Sequence, residues 1–209
     1  MIVVPPDGPG LARAVEILRA NGVVACPTET VYGLAVNPFS ETALEALFSV
    51  KGRDRGKPVL VMVADTGQLR ELTASVSTRA QRCMDAFWPG PLSLLLPAAS
   101  GLSALLTGGR AKICVRCTSS AVARRLCRAW DGPLTSTSAN LSGDAAALTA
   151  QSAAITGVSL VIDGDVLSES ASSTVYDPDE DLLLRAGPID LEAIRNVCGP
   201  ESGAAGKGL

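Results

Sequence analysis

Apolar residues recur along the chain at two spacings, and the alternation between them predicts interleaved helices and strands. Several segments carry apolar side chains three or four positions apart, which is typical of amphipathic helices. Between them lie short runs of consecutive apolar residues, which are typical of buried strands. The predicted helices cover residues 7–21, 40–51, 76–87, 119–130 and 190–197, with a short one beginning at 65–66. The predicted strands cover residues 23–26, 58–63, 92–96, 112–115, 133–137, 158–162, 173–177 and 182–185.

This order of elements predicts an α/β fold. The last strands follow one another without helices between them, so we expect a mixed rather than a fully parallel sheet. The sequence shows no repeat, linker or change of composition that would divide it. We therefore predict a single domain over residues 1–199, built on a twisted mixed sheet flanked by helices, with a flexible tail at residues 200–209.

Composition narrows the class of protein. Hydrophobic residues make up 47% of the 209-residue chain and aromatic residues only 3%, so the core is expected to consist mainly of Ala, Val, Leu and Ile. No apolar run reaches the ~18 residues that a membrane span needs. The first residues carry neither a basic leader nor an apolar signal segment. We expect a soluble cytoplasmic protein without membrane contacts.

Cysteine and histidine usage limits the chemistry. Six cysteines in a chain of this length do not resemble a disulfide framework. Cys114 and Cys117 have the spacing of a metal or redox pair, but a strand would point their thiols to opposite faces, so we predict buried free thiols and no metal site. The chain contains no histidine, which excludes Ser-His-Asp and Cys-His catalysis. The groups that remain for catalysis are cations, hydroxyls, carboxylates, backbone dipoles and an imported metal ion.

One segment concentrates positive charge in a chain whose net charge is -3. Lys51, Arg53, Arg55 and Lys57 fall within seven residues, among glycines and a proline that indicate a loop. Like charges this close repel unless an anion binds or the side chains diverge into water. The segment therefore predicts an anion site, phosphate first. The alternative is a solvated surface with Asp54 as its counter-ion. Neither the P-loop pattern nor the dinucleotide fingerprint is present.

Polar residues follow several predicted strands. Thr28 comes directly after the first buried strand, where ligands collect in open α/β sheets, although it could equally cap a turn while Tyr32 packs. Residues 136–140 are rich in hydroxyls and suit phosphate or ribose oxygens, although a helix cap is slightly favoured on this segment alone. Arg116 and Arg185 lie on apolar strands, where a cation needs a partner.

Together these segments resemble the YrdC/TsaC family of threonylcarbamoyl-AMP synthases, from about Gly8 to Gly199. The resemblance is carried by Thr-Glu-Thr after a strand, Lys-x-Arg after a helix, a strand arginine, Ser-x-Asn, Ser-Thr-Val and Leu-Arg-x-Gly-x-Ile, in that order. It implies a YrdC-like fold with a large basic concave pocket. It also implies a nucleotidyltransferase that condenses L-threonine, bicarbonate and ATP into threonylcarbamoyl-adenylate and releases pyrophosphate, with Mg²⁺ carried by ATP.

The resemblance also implies roles for individual residues. It places L-threonine against Thr28, Arg116, Ser136 and Ser173. It places ATP against Lys51, Arg53, Arg55, Lys112, Ser138, Asn140 and Arg185. Lys51 and Arg53 are the expected catalytic pair, because they would neutralise the charge that grows on pyrophosphate. The product would serve threonylcarbamoyladenosine modification of tRNA next to the anticodon, with downstream tRNA threonylcarbamoyl-transfer proteins as partners.

The chain departs from the family pattern at three positions. Thr118 stands where many relatives have proline, Met62 where some have a polar side chain, and Ala146 where relatives often offer a hydroxyl to the nucleotide. On this resemblance we expect the family's short form, which would close its pocket without an extra C-terminal domain. The alternative functions are a YrdC-like paralogue with another activity, or a module that binds tRNA or double-stranded RNA without synthase activity.

Overall fold

The computed structural model describes residues 2–164, 166–167 and 171–199, and the predicted tail at 200–209 lies outside them. The strands are β1 (Ile2–Val4), β2 (Val24–Pro27), β3 (Tyr32–Ala35), β4 (Leu60–Val63), β5 (Leu92–Pro97), β6 (Lys112–Cys117), β7 (Leu134–Thr135), β8 (Thr137–Ser138), β9 (Leu160–Ile162), β10 (Thr174–Asp177) and β11 (Leu182–Arg185). The helices are α1 (Gly8–Arg19), α2 (Glu41–Lys51), α3 (Thr78–Phe87), α4 (Ala104–Thr107), α5 (Ala121–Trp130), α6 (Ala150–Ala153) and α7 (Leu191–Cys198), with a 3-10 helix at Thr66–Glu71.

The strands form two sheets where the sequence analysis expected one. One sheet has the order β1-β9-β2-β3-β8 and the other β11-β10-β5-β6-β4-β7. Each contains parallel and antiparallel pairs, so the mixed α/β class is confirmed. The predicted strand 133–137 divides at Ser136, whose amide donates to the carbonyl of Leu60 at 2.7 Å. The chain thus passes from the six-stranded to the five-stranded sheet within one residue.

Four short elements were not predicted: β1, β3, α4 and α6. Strand β3 follows β2 after the four-residue turn 28–31, so these two strands form a hairpin. The sequence analysis predicts no strand at residues 32–35 and identifies only polar residues that follow β2. Isolated turns of four residues, such as α4 and α6, have too little periodicity to distinguish them from loops.

Side-chain caps fix the beginnings of the helices. Asp7, Ser40 and Asp190, each expected at a helix start, accept a backbone N–H of the first turn. Helix α2 ends at Lys51, and Gly52 takes the left-handed conformation with φ 56°, which an L side chain would resist. The predicted end of α2 is confirmed, and the basic segment begins at the last residue of this helix, Lys51.

The two sheets share one core. Its larger cluster of buried apolar residues includes Leu34 of β3 and Leu94 of β5, which belong to different sheets. A second cluster packs α1 and α5 onto both sheets through Leu18 and Leu126, which meet Met62 and Val24 among others. The expected aliphatic core is confirmed. Because both sheets bury side chains in the same core, their separation is fixed by packing.

Four of the six cysteines are free and buried, as expected for Cys114 and Cys117. Burial raises the pKa of Cys114 to about 11, so its thiol is protonated at neutral pH. Cys83 of α3 and Cys198 of α7 form a disulfide with a Cα–Cα distance of 5.9 Å. This pair could not be predicted, because the two residues lie 115 positions apart and only tertiary packing brings them together. In the described ranges, no helix combines the length and apolarity of a membrane span.

Candidate active site

A pocket of about 250 Å³ lies where the two sheets adjoin. The turn after β2 and strand β8 form one wall, and β5, β6, β10 and β11 contribute the other. Gly33 lines the pocket, and a Cβ there would lie 2.8 Å from the Ser136 hydroxyl. A side chain at this position would displace the Ser136 hydroxyl, so glycine lets this hydroxyl line the pocket.

The lining is strongly basic and rich in hydroxyls. It contains four arginines and seven serine or threonine side chains, but no carboxylate among the described residues. These polar residues are Thr28, Thr30, Arg53, Arg110, Arg116, Ser136, Thr137, Ser138, Ser172, Ser173 and Arg185. Positive charge without acidic lining favours an anion, and hydroxyls supply additional donors to its oxygens.

Arg116 lies on β6 at the base of the pocket, and only 2% of its surface is exposed. Its Nη1 contacts the Thr30 hydroxyl at 3.4 Å and the Glu29 carboxylate at 3.5 Å. Its Nε is buried without a hydrogen-bond partner in the described part of the chain. A guanidinium has five N–H donors, so these two long contacts leave most of its capacity for a ligand.

Arg53 follows α2 and reaches the pocket from the side of the basic segment. Its Nη2 donates to the carbonyl of Pro58 at 2.8 Å, and its Nη1 contacts the Thr137 hydroxyl at 3.4 Å. Burial, and then the positive charge of Arg185, lower the pKa of Arg53. Burial and the charge of Arg185 both disfavour the charged form of Arg53, and a bound anion would favour that form.

Arg185 and Ser173 form a hydrogen-bonded unit on the opposite wall. Arg185 donates from Nε to the Ser173 carbonyl and from Nη2 to the Ser173 hydroxyl, both at 2.9 Å. That hydroxyl is also 2.8 Å from the hydroxyl of Ser93. The predicted threonine contact and the predicted ATP contact therefore lie side by side.

The turn interpretation of Thr28 is confirmed, and its contact with a ligand stays a prediction. Its hydroxyl donates to the carbonyl of Val31 at 2.6 Å and accepts from the amide of Thr30, so it stabilises the turn. Thr28 also lines the pocket, while Tyr32 is fully buried.

The helix-cap interpretation of residues 136–140 is wrong, because these residues continue into a loop and the next helix begins at Ala150.

The side chain of Lys51 binds the loop formed by residues 138–140. Its ammonium donates to the carbonyls of Ser138 and Asn140 at 2.6 and 3.0 Å and to Asn140 Oδ1 at 2.9 Å. Ser138 Oγ donates to the same amide oxygen at 2.6 Å. Lys51 is 3% exposed and does not line the pocket, and nor does Asn140. The structure therefore makes Lys51 a support for Ser138, which does line the pocket.

Lys51 is expected to titrate apart from the other lysines. Burial, and then the charge of Arg53, lower the pKa of Lys51 to about 8, whereas an ordinary lysine titrates near about 10.4. The folded state thus loses this proton first, so the free energy of unfolding should rise with pH between these values. In protein labelled with ¹³C at lysine Cε, one resonance should titrate near pH 8 and should be absent from Lys51→Met. Uniform titration of every lysine above pH 10 would contradict this.

Besides Lys51 and Asn140, two further sequence-predicted ATP contacts lie outside the pocket. Arg55 is exposed and forms an ion pair with Glu45 of α2. Lys112 forms an ion pair with Asp177 at 2.6 Å, and hydrogen bonding to Asp177 contributes to raising its pKa against the effect of burial. Each cation therefore already has a carboxylate partner. The sequence could not show this, because Asp177 is 65 positions away from Lys112.

The sequence analysis missed several lining residues, notably Arg110, Thr30, Thr137 and Ser172. Arg110 is exposed and forms no ion pair with any residue that the structure describes. Arg110 lies two positions before β6, the strand that carries Arg116. This closeness in sequence was a signal that could have predicted Arg110 as a pocket residue. The three positions that depart from the family pattern, Met62, Thr118 and Ala146, do not line the pocket.

Comparisons with known proteins point in one direction. The Sua5/YciO/YrdC family model, described as "Telomere recombination", matches residues 16–187. The chain is 37% identical over 200 residues to a threonylcarbamoyl-AMP synthase of Bacillus subtilis, covering 93% of this chain and 58% of the relative. It is 36% identical over 183 residues to one of Vibrio vulnificus, covering 85% and 98%. The crystal structure of Pyrococcus abyssi Sua5 complexed with L-threonine is similar with a TM-score of 0.88 and 33% identity, covering 95% of this chain and 60% of that one.

The coverage of the relatives differs. The chain spans less than two thirds of the length of the B. subtilis protein and nearly all of the V. vulnificus protein. Residues 16–187, which the family model matches, include every residue that lines the pocket. The similarity therefore covers the whole pocket.

Proposed function

The chain belongs to the Sua5/YciO/YrdC family, and on that premise we propose that it is a threonylcarbamoyl-AMP synthase. Its substrates would be L-threonine, bicarbonate and ATP, and its products threonylcarbamoyl-adenylate and pyrophosphate. The product would serve the threonylcarbamoyladenosine modification of tRNA through downstream transfer proteins, and the protein would act in the cytoplasm. The observation that carries the proposal is a buried, incompletely bonded Arg116 in a pocket lined by arginines and hydroxyls.

Threonine would bind at the deep end of the pocket. The free donors of Arg116 suit a carboxylate, which a guanidinium can hold through two parallel hydrogen bonds. Thr28, Thr30 and Ser136 lie in the same lining and offer hydroxyls to the remaining polar groups of the amino acid. The Sua5 structure in complex with L-threonine supports threonine as the amino-acid substrate, because its fold is similar to that of this chain.

ATP would bind towards Arg53, Arg185 and Arg110. Their positive charge opposes the negative charge that develops on pyrophosphate as it leaves. Mg²⁺ would enter with ATP and be held mainly by the phosphates, since no carboxylate lines the pocket in the described residues. The metal would supply further neutralisation of the phosphate oxygens.

The chemistry requires no protein nucleophile. The threonine amine and bicarbonate give a carbamate and water, and a carbamate oxygen then attacks the α-phosphorus of ATP. The bond from that phosphorus to the bridging oxygen breaks, and the electron pair leaves with pyrophosphate. The task of the protein is to hold two anions close together and to neutralise charge. Arginines and hydroxyls suffice for this, so the absence of histidine presents no obstacle.

The deciding experiment is mass spectrometry of the reaction product. Purified protein would be incubated with ATP, L-threonine, Mg²⁺, pyrophosphatase and ¹³C-bicarbonate. We expect threonylcarbamoyl-adenylate that carries the isotope, and no such product when threonine is omitted. Complete absence of the adenylate from the wild-type reaction would overturn the proposal. An isotope-labelled adenylate that forms without threonine would instead indicate a paralogue with another substrate.

Arg110 and Arg55 provide a matched pair for the ATP site. Both are exposed arginines, but Arg110 lines the pocket and Arg55 pairs with Glu45 outside it. Arg110→Ala is expected to raise the KM for ATP by about fivefold to tenfold through the loss of a charged hydrogen bond. Arg55→Ala should change it less than about twofold, as for an exposed ion pair. Pyrophosphate release at varied ATP would measure both, and equal effects would contradict the assignment of Arg110.

A further inference from the structure

Arg116 contacts a carboxylate that does not itself line the pocket. Glu29 belongs to the turn after β2, between the pocket-lining residues Thr28 and Thr30. Its Oε1 is 3.5 Å from Arg116 Nη1 and is buried without a hydrogen-bond partner in the described residues. Its side chain is 13% exposed and that of Arg116 is 3% exposed. The pair is therefore a buried ion pair with one loosely held partner.

The other carboxylate oxygen of Glu29 is held firmly. Thr118, which is fully buried, donates its hydroxyl to Glu29 Oε2. The same hydroxyl accepts from the amide of Ser120, at the start of α5. Ser120 in turn donates its own hydroxyl to the carbonyl of Pro27 at 2.9 Å. Glu29 is thus fixed through Thr118 to the α5 N-terminus, and that terminus is fixed to the end of β2.

This connection joins the two walls of the pocket. Glu29 follows β2 of the five-stranded sheet, whereas Arg116 lies on β6 of the six-stranded sheet. A buried arginine without a counter-charge would carry a large desolvation penalty, so Glu29 makes the buried position of Arg116 tolerable. A carboxylate that is itself held in one place also limits the orientations open to the guanidinium.

We propose that Glu29, held by the Thr118 hydroxyl, is a positioning residue that orients Arg116 towards the carboxylate of the amino-acid substrate. The proposal rests on the proposed function, since it concerns the same pocket. Neither Glu29 nor Thr118 touches the substrate in this arrangement. Their effect reaches it through Arg116 and should therefore fall on the amino acid and not on ATP.

The test compares Thr118→Val with Thr118→Ser. Valine keeps the shape of threonine and removes only the hydroxyl, while serine keeps the hydroxyl. Thr118→Val is expected to raise the KM for threonine about tenfold, as for the loss of a hydrogen bond to a charged group, and to change the KM for ATP less than about twofold. Thr118→Ser should restore the KM for threonine. Thr107→Val, at a buried threonine outside the pocket, is the control for loss of a hydroxyl in general.

A double-mutant cycle with Glu29→Ala identifies the route of the effect. If Thr118 acts through Glu29, the double variant should have the same KM for threonine as Glu29→Ala alone. Independent, multiplying effects would overturn the proposal. So would a threonine KM that Thr118→Val leaves within twofold, or equal rises in both KM values. If the wild-type protein makes no adenylate, the proposed function fails and this inference falls with it. Normal wild-type turnover with an unaffected Thr118→Val removes the positioning role alone.

Discussion

Arg116→Ala is expected to lower kcat/KM for threonine about a thousandfold, the largest effect of any single substitution in the pocket. Without Arg116, the substrate carboxylate would be buried without its counter-charge. Removing one partner of a buried, hydrogen-bonded charge pair costs about 3–5 kcal/mol. The remaining lining offers this carboxylate hydroxyls but no second buried arginine in the described residues. Threonine-dependent pyrophosphate release measures the loss.

Arg116→Lys separates charge from geometry. Lysine keeps the positive charge beside Glu29 but cannot form two parallel hydrogen bonds with a carboxylate. We expect a reduction of about a hundredfold with a melting temperature close to that of the wild type, whereas Arg116→Ala should also lower the melting temperature because Glu29 loses its partner. Retention of threonine kcat/KM within threefold in Arg116→Lys would contradict a two-bond grip on the carboxylate.

Lys51→Met is expected to cost both stability and activity. Methionine has a similar length but no donor, so it leaves two carbonyls and the Asn140 amide oxygen without the ammonium that binds them. Buried acceptors that lose a charged donor cost about 3 kcal/mol or more in total. The loop that carries Ser138 should then move, and we expect kcat/KM for ATP to fall about a hundredfold. Thermal melting and pyrophosphate release measure the two effects.

Lys57→Met provides the matched control, because Lys57 belongs to the same basic segment but is exposed. It should leave both properties close to those of the wild type. A Lys51→Met protein that melts normally and yet loses activity would show that Lys51 acts on the ligand directly, as the sequence-based assignment had it. The structure favours the supporting role, since the ammonium is already directed at the loop.

The sequence predicted the elements of this fold better than their assembly. Caps such as Ser40 and apolar runs such as residues 58–63 are local signals, and both were identified correctly. The division of the strand at Ser136 depends on which neighbour each half pairs with, and no local pattern records that. The pairing of Cys83 with Cys198 was hidden for the same reason.

The candidate site shows the same limit. Seven of the eleven residues assigned by resemblance line the pocket, among them Arg53, Arg116 and Ser173. The other four are Lys51, Arg55, Lys112 and Asn140, and each of them uses its side chain on a protein partner. Residue type and order predicted that polar side chains lie near the ends of several strands. The direction of each side chain depends on carboxylates and carbonyls far away in the sequence.

The shared core has a consequence for substrate choice. Thr28 and Arg116 stand on walls that belong to different sheets, and the distance between those walls is set by the side chains packed between the sheets. One methyl group in a pocket contributes roughly 1–3 kcal/mol of discrimination between similar substrates. In the proposed synthase, selection of threonine over serine would therefore depend on the interior as much as on the lining. A change in the volume of Leu34 or Leu94 would alter amino-acid selectivity without touching the amino acid.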